Sequence, residues 1–174
     1  LWQDEQRAAP ELKLLVNLRL ENRGRRHRFG ISAVPPARLA AHLDMRGDFK
    51  GESLANPGLW RGRLFVQITR ADIAAWGAWL PFPEEIKLNR GVGALRVWAG
   101  IGGADMNKVT ADMRLHNVKA RLAPTLPELN LTRLAGRVGW QKIDDKDSNG
   151  SQFFARRLTA VLYGKPPLPS LDFS

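Results

Sequence analysis

Near position 60 the chain reads Trp60-Arg-Gly-Arg-Leu-Phe-Val-Gln-Ile68, and every second position of this run is apolar or glycine. Arginine or glutamine occupies the positions between them, with Phe65 as the exception. Successive side chains of a β-strand point to opposite sides of a sheet. The spacing therefore predicts a strand with one apolar face and one polar face.

The same alternation recurs along most of the chain. It is found at 12–20, 41–49, 95–99, 111–115, 138–140 and 158–162, with a shorter run around Phe29 and Ile31. At Asn117 the phase slips by one residue, which indicates a bulge or bend. Short turn-forming segments such as 56–58 and 100–105 separate the runs, so neighbouring strands should pair antiparallel.

One segment departs from the alternation. Thr69 to Asp72 resembles a capping box, and the apolar residues after it are spaced mostly three apart, which predicts a short amphipathic helix over 71–80. The apolar stripe of this helix consists of Ile73, Trp76, Trp79 and Leu80. We expect it either to act as a lid at one end of the sheet or to close the core at a sheet edge.

The length of 174 residues suits a single unit. We expect a first strand group over 1–70, the helix over 71–80, a second strand group over 84–163 and a Pro-rich tail over 164–174. The chain begins with Leu1 rather than Met, which favours a piece of a longer protein. It contains no cysteine, which excludes disulfides, thiolate metal sites and cysteine nucleophiles.

The formal net charge is +10, and arginine outnumbers lysine by 19 to 8. Many arginines fall on the polar faces of the predicted strands, where they suit a solvated outer face, a nucleic acid or an anionic membrane surface. Nucleic-acid binding favours exposed aromatic residues interleaved with basic ones, whereas most tryptophans fall on the apolar face or the helix. We therefore expect no nucleic-acid partner.

No motif indicates catalysis, a metal or a cofactor. Asp145–Gly150 matches the first half of a calcium loop, but position 12 of that loop is Arg156, a cation where the site needs an anion. A hairpin tip is the better interpretation. His27, His42 and His116 are far apart in sequence and fit surface strand or loop positions better than ligand positions. We expect neither a catalytic residue nor a metal ligand nor a cofactor.

Several runs resemble a known family. They are Gly91-Val-Gly-Ala-Leu-Arg-Val-Trp98, the stretch from Val109 to Leu122, Leu134-Ala-Gly-Arg-Val-Gly-Trp140, and Phe153-Phe-Ala-Arg-Arg-Leu158. Together they resemble the YhdP branch of the AsmA-like proteins of Gram-negative envelopes. The resemblance covers roughly 41–162.

The resemblance implies a long periplasmic protein that is held in the inner membrane by an N-terminal helix outside this chain. Such proteins are built from repeated β-sheet units curled into a hydrophobic groove. The family is similar to TamB and to eukaryotic bridge-like lipid transfer proteins. It is implicated in moving phospholipid from the inner to the outer membrane, and so in outer membrane biogenesis. The implied partners are phospholipid acyl chains and adjoining β-groove segments of the parent chain. No catalytic residue comes with the family.

We therefore expect a mostly β fold, in which a curved, mainly antiparallel sheet forms an apolar groove with one short helix. A closed β-sandwich, acting as an envelope interaction domain without a ligand, shows the same alternation. If the sheet forms a groove, the following residues share one concave, lipid-binding side: Leu14, Val16, Leu18, Leu43, Met45, Leu64, Val66, Leu95, Val97, Met113 and Leu115.

Overall fold

The computed structural model describes residues 14–52, 56–78, 87–103, 105–121, 123–145 and 148–174. Nine strands make up one sheet in which each strand pairs antiparallel with its neighbour along the chain. The strands are β1 (Leu15–Arg23), β2 (Arg26–Val34), β3 (His42–Lys50), β4 (Arg61–Asp72), β5 (Lys87–Gly102), β6 (Asp105–Arg121), β7 (Leu129–Asp145), β8 (Ser148–Leu162) and β9 (Leu171–Phe173).

The mostly β, antiparallel fold class is confirmed, and the sheet is open and curled. The closed sandwich is wrong, because all strands of the described chain belong to this one sheet. The two strand groups are continuous with each other, since β4 pairs with β5 along most of its length. The Pro-rich tail contributes the short strand β9, which the sequence did not predict.

The helix predicted over 71–80 is wrong for the part of it that the structure describes. Ala71 and Asp72 still belong to β4, because they pair with Gly93 and Val92 of β5. After them the chain makes a turn and then a single 3₁₀ turn, Ala75–Ala78. The Asp72 carboxylate accepts hydrogen bonds from the amides of Ala74 and Ala75, at 3.1 and 3.2 Å. Trp79 and Leu80 lie outside the described residues.

Bulges interrupt the ladders of the long strands. Arg70, Asn117 and Arg157 each have a positive φ, between +49° and +51°, and the register shifts beside each of them. A bulge puts two residues of one strand opposite one residue of its partner and bends the strand. The bulge predicted from the phase slip at Asn117 is confirmed. The one at Arg157 lies opposite Gly136, whose φ is +148°.

Two clusters of buried apolar side chains form the core. The first is built around Leu39, from the β2–β3 connection, and Trp76, and includes Ile68 of β4. The second consists mainly of β6 and β7 residues, and its buried members include Val118 and Leu131. Both clusters contain residues that are close in sequence to the bulges. The bends and the cores therefore occur in the same part of the sheet.

An aromatic cluster lies at the end of strands β2–β4 that is opposite to the cluster of Leu39 and Trp76. His27 is buried, contrary to the surface position predicted from the sequence, and its ring stacks on Trp60 at a centroid distance of 4.3 Å. Its two ring nitrogens are hydrogen-bonded to the Asn22 side chain and to the carbonyl of Gly51. Phe49 packs beside Trp60. His27 is a structural residue of this cluster, since both of its nitrogens already have partners.

Candidate functional site

The strand register assembles one unbroken apolar row across all nine strands. Residues directly opposite each other in an antiparallel pair point to the same face, so a chain of such pairs traces a line over one face of the sheet. The line, here called the central row, contains Leu18, Ile31, Met45, Val66, Val97, Ala111, Val138, Ala155 and Phe173.

Two flanking rows widen the apolar strip on the same face. The first contains Val16, Ala33, Leu43, Ile68, Leu95, Met113 and Gly136. The second contains Leu20, Phe29, Gly47, Leu64, Ala99, Val109, Trp140 and Phe153. None of the three rows includes a charged or hydrogen-bonding side chain other than the indole of Trp140. Because alternate residues of a strand lie about 7 Å apart, the three rows make a strip about 14 Å wide.

Most of the residues predicted to share one face do share it. Nine of the predicted positions are members of the three rows. Leu115 follows Met113 at a spacing of two on β6 and pairs with Leu134, so it extends the same face. Leu14 precedes β1 and has no partner in the described ladder. Lipid binding by these residues stays a prediction.

The apolar face is the more enclosed of the two faces. The buried apolar positions of the strands lie on it, including Ile68, Ala99, Leu115 and Ala155. A single sheet can bury one of its faces only where curvature crowds the side chains or a connecting segment covers them. The ends of the strip are open, since Leu18 is 59% and Phe153 63% exposed.

The residues of the predicted lid act as a seal where the structure describes them. Trp76 is 8% exposed, and its indole N–H donates a 3.0 Å hydrogen bond to the carbonyl of Leu39. Ile73 packs against the cluster that contains Val118. Both contacts fix the segment after β4 against the core. They therefore support the interpretation that this segment closes the core, rather than the interpretation that it is a movable lid.

The predicted set of groove residues left out several members of the apolar face. Ala33, Ala99 and Ala155 are small residues whose hydrophobic signal is weak, yet they are among the most buried. Phe153 and Phe154 are adjacent, so the alternation did not show which one belongs to the strip. The pairing of Phe153 with Trp140 would have been the deciding signal.

The opposite face is polar and carries arginine–carboxylate pairs. Arg26 forms a two-pronged contact with Asp48, at 2.8 and 2.6 Å, and holds the pKa of that carboxyl at about 2, below its ordinary value of 3.8. Arg137 makes the same kind of contact with Asp112 and lowers the pKa of that carboxyl as well. Hydrogen bonding to the charged form is the leading cause in both cases.

The described residues offer no metal site and no membrane-spanning helix. No group of three or more His, Cys, Asp or Glu side chains is placed to hold an ion within the described ranges. No helix there is long and apolar enough to cross a bilayer. What the described chain does provide is a wide apolar strip backed by a basic face.

An open, curled, single-layer sheet with one continuous apolar face defines the β-groove class of protein. Within that class, a family model described as "YhdP protein" matches residues 1–174, and the chain belongs to this family, one of the AsmA-like and TamB-like proteins. Neither a curated protein nor a solved structure matches the chain.

Proposed function

We propose that the apolar strip binds the acyl chains of phospholipids and lets them move across the strands, as one stage of inner-to-outer membrane lipid transport in the Gram-negative envelope. The observation that carries the proposal is the central row, which is apolar in every one of the nine strands. A path for an alkyl chain needs this continuity, because a single charged or unpaired polar group along it would cost free energy at each passage. Membership of the YhdP family supports the envelope setting.

The dimensions of the strip suit an acyl chain. Eight intervals of about 4.8 Å between the nine strands give the strip a length of about 38 Å. One acyl chain spans about half of a ~30 Å hydrocarbon core, or about 15 Å. The strip could therefore hold an acyl chain along three or four strands, with further strands ahead of it and behind it.

The proposed role is non-enzymatic and places the chain in the periplasm, tethered to the inner membrane through a segment outside this sequence. A large apolar surface open to water normally marks an interaction site. The open ends of the strip, at β1 and at β8–β9, suit adjoining β-groove segments of the parent chain, which would continue the path. An anionic membrane surface would suit the net charge of +10.

The test places one negative charge on either face of the same strand. Leu18 lies in the central row and Asn17 is its neighbour on the polar face, so Leu18→Asp and Asn17→Asp differ in the face that receives the charge. Both residues are exposed, so neither variant should unfold the chain. Val66→Asp repeats the substitution in the middle of the strip. The measurement is native mass spectrometry of the purified chain with phospholipid in mild detergent.

We expect Val66→Asp and Leu18→Asp to reduce the population with bound phospholipid by about tenfold or more, since a carboxylate in contact with an acyl chain costs more than about 1.4 kcal/mol. Asn17→Asp should keep the bound population of the unmodified chain. Thermal melts of all three variants show whether any loss comes from unfolding. Equal lipid binding by all three folded variants would contradict the proposal and leave a structural domain without a ligand.

A further inference from the structure

The polar face of β4–β8 contains a depression of about 650 Å³, within the size range of small-ligand sites. Six arginines line it, against a single carboxylate, that of Asp112. The arginines are Arg96, Arg114, Arg133, Arg137, Arg156 and Arg157, and the depression they line is here called the arginine basin. A twisted sheet is saddle-shaped, so this face can be concave along one diagonal while the apolar face is concave along the other.

The strand register brings these arginines together. Arg137 of β7 lies directly opposite Asp112 on one side and Arg156 on the other. Arg114 follows Asp112 at a spacing of two along β6, on the same face. The bulge at Arg157 places a second arginine of β8 beside the first, and both line the basin. Four neighbouring strands, β5 to β8, therefore direct guanidinium groups to one place.

Few carboxylates neutralise the positive charge of the arginine basin. Asp112 already receives both nitrogens of the Arg137 fork, and Arg96 donates to the amide oxygen of Gln67. In the described part of the chain, no carboxylate lies within 4.0 Å of the guanidinium groups of the other four arginines. Arg96 and Arg157 add to the lowering of the Asp112 pKa, as expected of a region of positive potential.

Guanidinium groups recognise phosphate in particular. The planar fork of arginine matches two oxygens of a phosphate group, and several forks can share the three free oxygens of one such group. A bound phosphate would also relieve the repulsion among neighbouring cations.

We propose that the arginine basin is a binding site for a phosphate group, carried by a soluble molecule or by a lipid headgroup at a membrane surface. The basin lies on the face opposite the central row, so this proposal is independent of acyl-chain binding by the strip.

The experiment compares two double variants that lose the same charge. Arg114→Gln with Arg133→Gln removes two basin arginines that have no carboxylate partner in the described chain. Arg19→Gln with Arg61→Gln removes two exposed arginines of the same face that do not line the basin. Inorganic pyrophosphate is titrated into each chain by isothermal titration calorimetry at one fixed ionic strength.

We expect the basin variant to bind pyrophosphate about tenfold or more weakly than the unmodified chain, because two charge-assisted contacts are lost. The control variant should stay within about twofold, as expected for loss of long-range attraction alone under salt screening. Arg114→Lys with Arg133→Lys keeps the charge but loses the forks, and should lie between the two. These exposed substitutions leave the apolar face intact, and circular dichroism of each variant checks the fold.

A second arm identifies the source of the phosphate. Flotation uses phosphatidylcholine vesicles with and without phosphatidic acid. The basin is a headgroup site if the chain floats with the phosphatidic acid vesicles, if only the basin variant loses this flotation, and if pyrophosphate reverses it. Pyrophosphate binding without flotation identifies a soluble ligand. Equal weakening in the basin and control variants, or no binding in either arm, would overturn the proposal and leave a solvated basic face.

Discussion

The two faces of the same sheet are built on opposite principles. On the apolar face, three rows of side chains run across the strands without a charge, and most of their inner positions are buried or half-buried. On the polar face, arginines and carboxylates pair in exposed positions and a cluster of arginines lines a depression. Neighbouring residues of one strand thus belong to different surfaces, and between bulges the odd or even position of a residue decides which face its side chain joins.

This difference shows why the bulges matter. A slip of one residue would move a strand's apolar side chains onto the polar face. At Asn117 and Arg157 the bulge absorbs one residue, so apolar side chains on both sides of it stay on the same face. The three rows of the strip lie on one side of these bulges, and the bulges keep apolar residues beyond them, such as Val118 and Ala160, on the same face as the strip.

The largest expected effect is a difference in stability between two truncations, one of a tryptophan packed against the apolar face and one of a tryptophan on the polar face. Trp76 is 8% exposed and hydrogen-bonded to Leu39, whereas Trp98, on the polar face, is 38% exposed and packs against Phe65 and Arg137. Trp76→Ala should lower the free energy of unfolding by about 3–5 kcal/mol, as expected for truncation of a buried aromatic residue. Trp98→Ala should cost about 1 kcal/mol, because most of its contacts are at the surface.

Chemical denaturation of both variants measures this difference. Equal losses would mean that the polar face contributes as much to stability as the apolar face. A small loss for Trp76→Ala would mean that the segment after β4 is not a seal and would restore the interpretation of it as a lid.

The sequence predicts the two faces well because alternation is a local signal. It places Phe49 and Trp60 in phase with the apolar residues of β3 and β4, and both join the aromatic cluster. It fails at 71–80, where a spacing of three also fits a helix. Pairing of Ala71 and Asp72 with β5 outweighs that local preference. The contact between Leu39 and Trp76 joins residues 37 positions apart, which no periodicity can show.

The phase slip at Arg157 could have been predicted from the alternation in the sequence. Phe153 and Ala155 are in one phase, whereas Leu158 and Ala160 are in the other. The arginine basin was harder to find, because it depends on the register of β5 to β8 rather than on any one strand. A run of alternating arginines shows only that a face is polar, whereas strand pairing decides which arginines meet.

The second prediction tests the bulge that keeps β8 in phase. A Cβ on Gly136 would lie 2.6 Å from the Leu158 Cα and 2.8 Å from the Arg157 carbonyl oxygen, and its φ of +148° is strained for any other residue. Gly136→Ala should therefore lower the free energy of unfolding by about 1–3 kcal/mol. A Cβ on Gly30, on the polar face of β2, would meet no neighbouring side chain or strand within 4 Å. Gly30→Ala should be neutral or stabilising by less than about 1 kcal/mol.

Urea denaturation of the two alanine variants gives the comparison. A neutral Gly136→Ala would show that the β7–β8 ladder can relax around the bulge. In that case the close backbone approach is not what keeps the apolar residues of β8 before and after the bulge on one face.

The smallest expected effect is a difference between the two faces in how the stability of the fold depends on pH. The Arg26 fork lowers the pKa of Asp48 from its ordinary value of 3.8 to about 2, so this carboxylate favours the folded state above pH 3.8. That contribution is lost as the pH falls from 3.8 towards 2, when Asp48 is protonated in the folded chain too. Asp48→Asn should flatten the decline of the urea midpoint in this interval, by a small amount because the pair is partly exposed. Leu43→Ala, on the apolar face, should lower the midpoint by a similar amount at every pH and keep the slope unchanged, because it removes no ionisable group. An unchanged slope in Asp48→Asn would mean that the arginine–carboxylate pairs do not make the polar face sensitive to acid.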